Sequence, residues 1–233
     1  MFLPFMKKVK ERVKKDKGKA EGVFRIRKSR KDVILRKKSI SFIYFSVLLV
    51  LAFLLSLKYD LIIVKYFSYL RFSYLNYFML TTEFLSSGVI LLIIISAIFL
   101  TGDRIKKFFR LWITLIISYG AGTLLKIAFN RVRPVQTGVV STFEQLMDSS
   151  FNSWNSSFPS LHAIMVFCIL PLLSDESKAL KVSWLIFALL VSFSRVYLGV
   201  HYLGDVIAGA AIGYLIGFCI LKITKYLNAK KNK

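Results

Sequence analysis

The chain has 233 residues, room for one compact domain, and 56% of them are hydrophobic, with a mean hydropathy of +0.60. The apolar residues come in blocks, which excludes an ordinary soluble domain and points to a polytopic membrane protein. A net charge of +22 would suit a nucleic-acid partner, but the basic residues fall mainly in segments that flank the apolar blocks.

Residues 1–39 carry 16 Lys and Arg against four Asp and Glu. The opening Met-Phe-Leu-Pro-Phe is too short for a signal-peptide core. A basic cytoplasmic tail is expected here, either binding anionic lipid or simply solvated and setting topology. Six apolar runs follow, at Ile40–Leu57, Phe84–Leu100, Leu111–Phe129, Leu161–Leu173, Val182–Leu198 and Val206–Ile223. Each approaches the roughly 20 residues that a spanning helix needs, although the fourth is short and broken by Pro171. The expected fold is all-α: an integral membrane bundle of six transmembrane helices over residues 40–223, followed by a basic cytoplasmic tail at 224–233.

Six spans put both termini on one side. With the N-terminus inside, the inside segments hold 27 of the 34 Lys and Arg, the asymmetry that the positive-inside rule describes. Topology thereby accounts for most of the charge, and no nucleic-acid partner is expected. Between the first two runs, Tyr66–Phe78 has seven aromatics in thirteen residues and is expected to form a helix lying in the outer interface. Cys168 and Cys219 both lie inside apolar runs, so no disulfide framework is expected. Two His and two isolated Cys give no zinc spacing, and no metal or other cofactor is expected.

Three polar stretches emerge on the outer side. Lys126, Arg131 and Arg133 lie within eight residues at the end of the third run, before Pro134. Phe158-Pro159-Ser160-Leu161-His162 opens the fourth and holds one of the two histidines. A helix starting there would aim free N–H groups and a hydroxyl outward. After the fifth run come Ser194, Arg195, His201 and Asp205. On a helix, Asp205 at i+4 shares a face with His201. It would fix the imidazole tautomer and leave the other nitrogen free to attack or to accept a proton. Arg195 adds a planar fork suited to phosphate. The alternative for each stretch is a set of interfacial anchors at helix ends. Ionisable groups beside apolar spans are, however, more often functional. Cations with helix N–H groups suit the oxygens of a phosphoryl transition state, and two histidines allow one to attack while the other protonates the leaving oxygen.

Lys126-x6-Arg133-Pro134, Pro159-Ser160-x-His162 and Ser194-Arg195-x5-His201-x3-Asp205 resemble the three signature motifs of the type 2 phosphatidic acid phosphatase family, whose superfamily includes the vanadium haloperoxidases. The motifs stand in the family's order across residues 126–205. The resemblance implies a membrane hydrolase of lipid phosphates or diphosphates, multi-pass in the cell membrane, with its site on the extracytoplasmic face. Substrates of the family include phosphatidate, phosphatidylglycerol phosphate, polyprenyl diphosphates and lipid A phosphates. It also implies a metal-independent mechanism. His201 would be the nucleophile that becomes phosphohistidine, oriented by Asp205, and His162 the general acid and later base. Lys126, Arg133, Ser160, Arg195 and the Leu161 amide would hold the phosphate. The family usually has Gly where Leu161 stands, so the Leu side chain must point away or narrow the headgroup space. Arg131 matches no invariant position. The non-enzymatic alternative, a transporter or lipid-binding protein using the cations only to hold anions, would call for acidic coupling residues in broken midplane helices. The runs carry almost none.

Overall fold

The computed structural model describes Tyr44, residues 47–86, Ser96, residues 105–140 and residues 156–231. Packing divides the chain into two units, Met1–Leu51 and Ala52–Lys233. Of the first, the described residues are Tyr44 and 47–51, all helical, and the residues of the three motifs lie in the second.

The described elements are helices α1 (Val47–Tyr69), α2 (Ser73–Leu85), α3 (Ile105–Phe129), α4 (Leu161–Phe167), α5 (Lys178–Tyr197) and α6 (Leu203–Lys231). Short 3-10 turns occupy Pro134–Thr137 and Leu170–Asp175. There is no strand among the described residues. Helices α1, α3, α5 and α6 are long and apolar enough to cross a membrane, and Leu161–Asp175 is a shorter apolar helical stretch. The fold is therefore the helical membrane bundle expected, and six spans fit it. The run Phe84–Leu100 lies mostly outside the described residues, and the basic tail at 1–39 lies wholly outside them.

Several expected boundaries move: α3 begins at Ile105 rather than Leu111, α5 at Lys178 rather than Val182, and α6 runs Leu203–Lys231 rather than Val206–Ile223. The first helix runs to Tyr69 instead of stopping at Leu57, because the charge of Asp60 does not end it: Asp60 is 2% exposed and ion-paired to Arg131. The apolar Leu61-Ile62-Ile63-Val64 then continues the helix. The aromatic stretch Tyr66–Phe78 is likewise not one helix. Phe72 is extended (φ −140°, ψ 156°) and separates the end of α1 from α2. Arg71 pins this break by donating from Nε and Nη2 to the Tyr197 carbonyl at 3.1 and 2.8 Å.

The fourth run behaves as its proline dictates. Pro171 has no N–H to continue the ladder, so α4 ends at Phe167 and the chain tightens into the 3-10 turn. Helix α4 is the centre of the bundle, packed by α3, α5 and α6, with Ala163, Ile164, Val166, Cys168 and Ile169 fully buried. Trp184 of α5 donates its indole N–H to the Val166 carbonyl at 2.9 Å. Against α6 the approach is closer. A Cβ on Gly209 would lie 2.7 Å from the Ser160 carbonyl oxygen, and one on Gly213 or Gly217 would land on the Ile164 or Cys168 carbonyl. Glycines at every fourth residue of α6 thus lie along carbonyls at every fourth residue of the α4 stretch, the small-residue packing by which membrane helices come together. The opposite faces of α3 and α5 leave Ile113, Ile116, Ile117, Leu124, Leu185, Ile186 and Leu189 exposed, as lipid contact requires.

The basic end of the bundle holds Lys107–Glu176 (2.5 Å) and Lys225–Asp175 (3.1 Å) ion pairs. All three motifs gather at the other end: the C-termini of α3 and α5 and the N-termini of α4 and α6.

Candidate active site

The segment Ser156–Ser160 holds the three motifs in register. Helix α3 stops at Phe129, and Asn130 takes a left-handed conformation (φ 38°), which asparagine tolerates better than most residues. The chain thereby turns along the 156–160 segment. The Arg131 amide donates to Ser156 Oγ at 2.9 Å and the Ser157 amide to the Arg131 carbonyl at 2.6 Å. Lys126, in the last turn of α3, donates from Nζ to the Ser156 carbonyl. The Ser160 amide donates to the Asp205 carbonyl at 3.1 Å, which ties the second motif to the third.

The third motif is shaped by a turn that needs glycine. After α5 ends, Gly199 adopts φ +76°, and a Cβ there would meet Arg71 Nη2 and Val140 at 2.9 Å. The turn folds back so that the Val200 and His201 amides both donate to the Arg195 carbonyl at 3.2 Å. His201 is 2% and Arg195 3% exposed. Asp205, in the first turn of α6, is wholly buried. It accepts the Tyr202 amide at 2.9 Å, the Ser157 hydroxyl and Arg131 Nη1, the last at 2.7 Å.

The partner of His201 differs from the expected one. Its Nδ1 lies 2.7 Å from the Ser157 carbonyl oxygen, while Asp205 Oδ2 is 3.7 Å away. A carbonyl can only accept, so Nδ1 carries the proton and Nε2 keeps its lone pair. Asp205 is near enough to balance charge on the ring but is not its hydrogen-bond partner. Burial above all, then the positive charges of Arg133, Lys126 and Arg195, push the His201 pKa well below its ordinary value of 6.5, against a smaller upward pull from the Ser157 carbonyl. The imidazole is neutral at pH 7.

The sequence-derived cations converge on it. Lys126, Arg133 and Arg195 are all buried and feel one another's charge, and His162 feels all three together with His201. Three like charges held together out of water are costly unless an anion joins them. Ser160 Oγ and the Nε of Arg195 are buried with no hydrogen-bond partner, donors suited to the oxygens of an anion, while Arg195 Nη1 faces Glu83. Leu161, where glycine was expected, does not fill the site. Its side chain lies over Gly122 of α3, where an added Cβ would be 2.5 Å from Leu161 Cδ2. The glycine of one helix makes room for the leucine of the other.

Three residues of the site were not anticipated. Asp60 was passed over because the helix was expected to end before it, although an acid inside an apolar helix is itself a signal. Ser157 acts through its main chain and its hydroxyl, and nothing in the sequence marks it. Glu83 of α2 pairs with Arg195 Nη1, leaving its Oε2 buried without a partner. The sequence placed it at the end of an apolar run with no link to the motifs.

Both the sequence and the fold are similar to those of known proteins. A family model described as "PAP2 superfamily" matches residues 107–229, more than half the chain and all three motifs. The chain is 35% identical over 108 residues to a phosphatidylglycerophosphatase B of Bacillus subtilis, 42% of this chain and 48% of that one. It is 34% identical over 131 residues to an undecaprenyl-diphosphatase of Sulfolobus acidocaldarius, 55% of this chain and 61% of that one. The chain thus spans about half the length of these curated relatives. Its fold superposes on the crystal structure of a transmembrane PAP2-type phosphatidylglycerolphosphate phosphatase from Bacillus subtilis with a TM-score of 0.62 and 25% identity, over 77% of this chain and 96% of that one. With motifs, fold and family model in agreement over the same residues, the chain belongs to the PAP2 superfamily.

Proposed function

We propose that this protein is a membrane phosphatase that hydrolyses a lipid phosphate or diphosphate through a phosphohistidine on His201, without a metal. The observation that carries the reading is the juxtaposition of three buried cations and partnerless donors with a neutral, buried imidazole whose Nδ1 proton is already committed. Lys126, Arg133, Arg195, Ser160 and the Leu161 amide hold the phosphoryl oxygens and supply the positive charge. His201 Nε2 attacks phosphorus, and the P–O bond to the leaving group breaks as His162 gives its proton to the departing oxygen. The ring becomes positive, with Asp205 beside it to balance the charge. His162 then takes a proton from water, the hydroxide attacks phosphorus, and the P–N bond breaks to restore neutral His201. The apolar flanks of the bundle favour a substrate whose chain stays in the bilayer. The relatives named above act on phosphatidylglycerol phosphate and undecaprenyl diphosphate.

The test is release of inorganic phosphate by purified protein from phosphatidate, phosphatidylglycerol phosphate, polyprenyl diphosphate and lipid A phosphate. Activity on at least one is expected to persist in EDTA and to be inhibited by vanadate, which mimics five-coordinate phosphorus. Loss of activity with chelator, restored by magnesium, would sink the mechanism.

The charge asymmetry of the sequence supports an extracytoplasmic site, with both termini cytoplasmic and the phosphatase domain at 40–223 between basic tails. In a background lacking Cys168 and Cys219, a cysteine at exposed Val139 is expected to react with an impermeant thiol reagent added to intact cells. A cysteine at Lys106 is expected to stay unlabelled. The reverse pattern would put the site in the cytoplasm.

A further inference from the structure

Arg131 fits no position of the three motifs, yet it is the most connected cation of the site. Nη1 lies 2.7 Å from Asp205 Oδ1 and Nη2 lies 2.8 Å from Asp60 Oδ2. The guanidinium stands 4.1 Å over the Tyr202 ring, and its main chain is fixed on both sides by Ser156 and Ser157. The two carboxylates it bridges are 3% and 0% exposed in their side chains. Each also grips the backbone just after His201: Asp60 Oδ1 accepts the Gly204 amide at 3.0 Å and Asp205 Oδ2 accepts the Tyr202 amide at 2.9 Å. Two buried carboxylates without a shared cation would repel each other and release that turn. Both terminal nitrogens of Arg131 are committed to them.

We propose that Arg131, anchored by Asp60 of α1, is a positioning residue for the reaction. It fixes the Asp205 carboxylate in place and clamps the 202–204 turn, so that His201 keeps its line of attack. This role rests on the phosphohistidine reading above. Lysine cannot bridge two carboxylates in a fixed fork, so charge and geometry can be separated by substitution.

His201 is faced by Lys126 of α3, Arg133 after it, His162 of α4, Arg195 of α5 with Glu83 of α2 against it, Asp205 of α6 and the Ser157 carbonyl. Removing the Arg131 charge leaves Asp60 and Asp205 uncompensated on one side of this group. That favours the protonated ring, so the acid limb of kcat/KM should move to higher pH in Arg131→Gln. Arg131→Lys keeps the charge and should leave the limb in place. Asp60→Asn removes a negative charge and should move it to lower pH.

The experiment measures kcat, KM, vanadate inhibition and the acid limb for the full chain in detergent, with the lipid phosphate that wild type turns over best. Arg131→Lys is expected to lose up to about 100-fold in kcat, as a nucleophile displaced by an ångström would, with KM and vanadate inhibition close to wild type. Arg131→Gln should lose at least as much and show the shifted limb. If Arg131→Gln does not fold, Arg131→Lys and Asp60→Asn decide the matter. Wild-type kcat in Arg131→Lys overturns the role, as does a loss confined to KM or an acid limb unmoved in both charge-changing variants. Turnover by wild type with unaffected variants sinks this role alone, whereas no turnover by wild type sinks the phosphatase reading and the role with it.

Discussion

His201→Ala is expected to release no phosphate from any substrate, while the damage in His162→Ala should depend on the leaving group. The structure separates the two rings. His201 is buried, with Nδ1 tied to the Ser157 carbonyl and Nε2 left with its lone pair. Without that nitrogen no phosphoenzyme can form, and neither Asp205 nor Lys126 is placed to substitute for it. Asp205 already accepts from Tyr202, Ser157 and Arg131, and Lys126 is committed to the Ser156 carbonyl. His162 carries no such anchor. It opens α4 beside the cations, where a bound phosphate would add about −1.5 to −2 charge and favour its protonated form.

A lipid alkoxide is a poor leaving group and needs that proton, so His162→Ala should slow its departure by roughly 10²–10⁴-fold. A p-nitrophenolate leaves unaided, and its first step should be nearly spared. Attack of water still needs a base, so His162→Ala supplied with p-nitrophenyl phosphate should accumulate phosphohistidine. The measurement is a quenched reaction on both variants, with acid-labile, base-stable phosphate on the protein as readout. Phosphate trapped on His201→Ala and none on His162→Ala would reverse the assignment.

The residues of the three motifs were legible because their chemistry is unusual for their surroundings. A His, an Arg and an Asp between two apolar runs stand out from any lipid-facing pattern, and order and spacing joined them to the Lys126 and Ser160 stretches. What holds those residues in place was harder to read. The Ser157 carbonyl is the nearest partner of His201, and backbone atoms leave no trace in a sequence. The i+4 spacing pointed to Asp205 instead, but His201 lies in the turn before α6, so helical spacing does not apply to it. Asp60 was readable in principle. Its burial depends on Arg131, 71 residues away, and a charge in an apolar run cannot announce a partner that distant. The same gap moved the end of the first helix.

Gly213→Ala is expected to cost both stability and turnover, though it touches no reacting group. A Cβ at this position would fall on the Ile164 carbonyl oxygen, with the Ile164 C and Cα both at 2.9 Å. The atoms it meets are backbone, so no rotamer change can relieve the clash, and α4 and α6 must separate. Overpacking of this kind typically costs about 1–3 kcal/mol, which a lowered melting temperature in detergent would report. Helix α4 carries Ser160 and His162 at its head and α6 carries Asp205. The two are tied only a turn away by the Ser160 amide on the Asp205 carbonyl. A displacement of about 1 Å between them should lower kcat by up to about 100-fold. Gly217→Ala, whose Cβ would fall on the Cys168 carbonyl, should destabilise similarly but impair turnover less, because it lies one turn further from the site. Gly120→Ala is the control: nothing lies within 4 Å of its Cβ, and alanine is the better helix former by about 1 kcal/mol. Its melting temperature should be unchanged or raised. A Gly213→Ala protein as stable and active as Gly120→Ala would mean that α4 and α6 are not packed backbone against backbone along the glycine row.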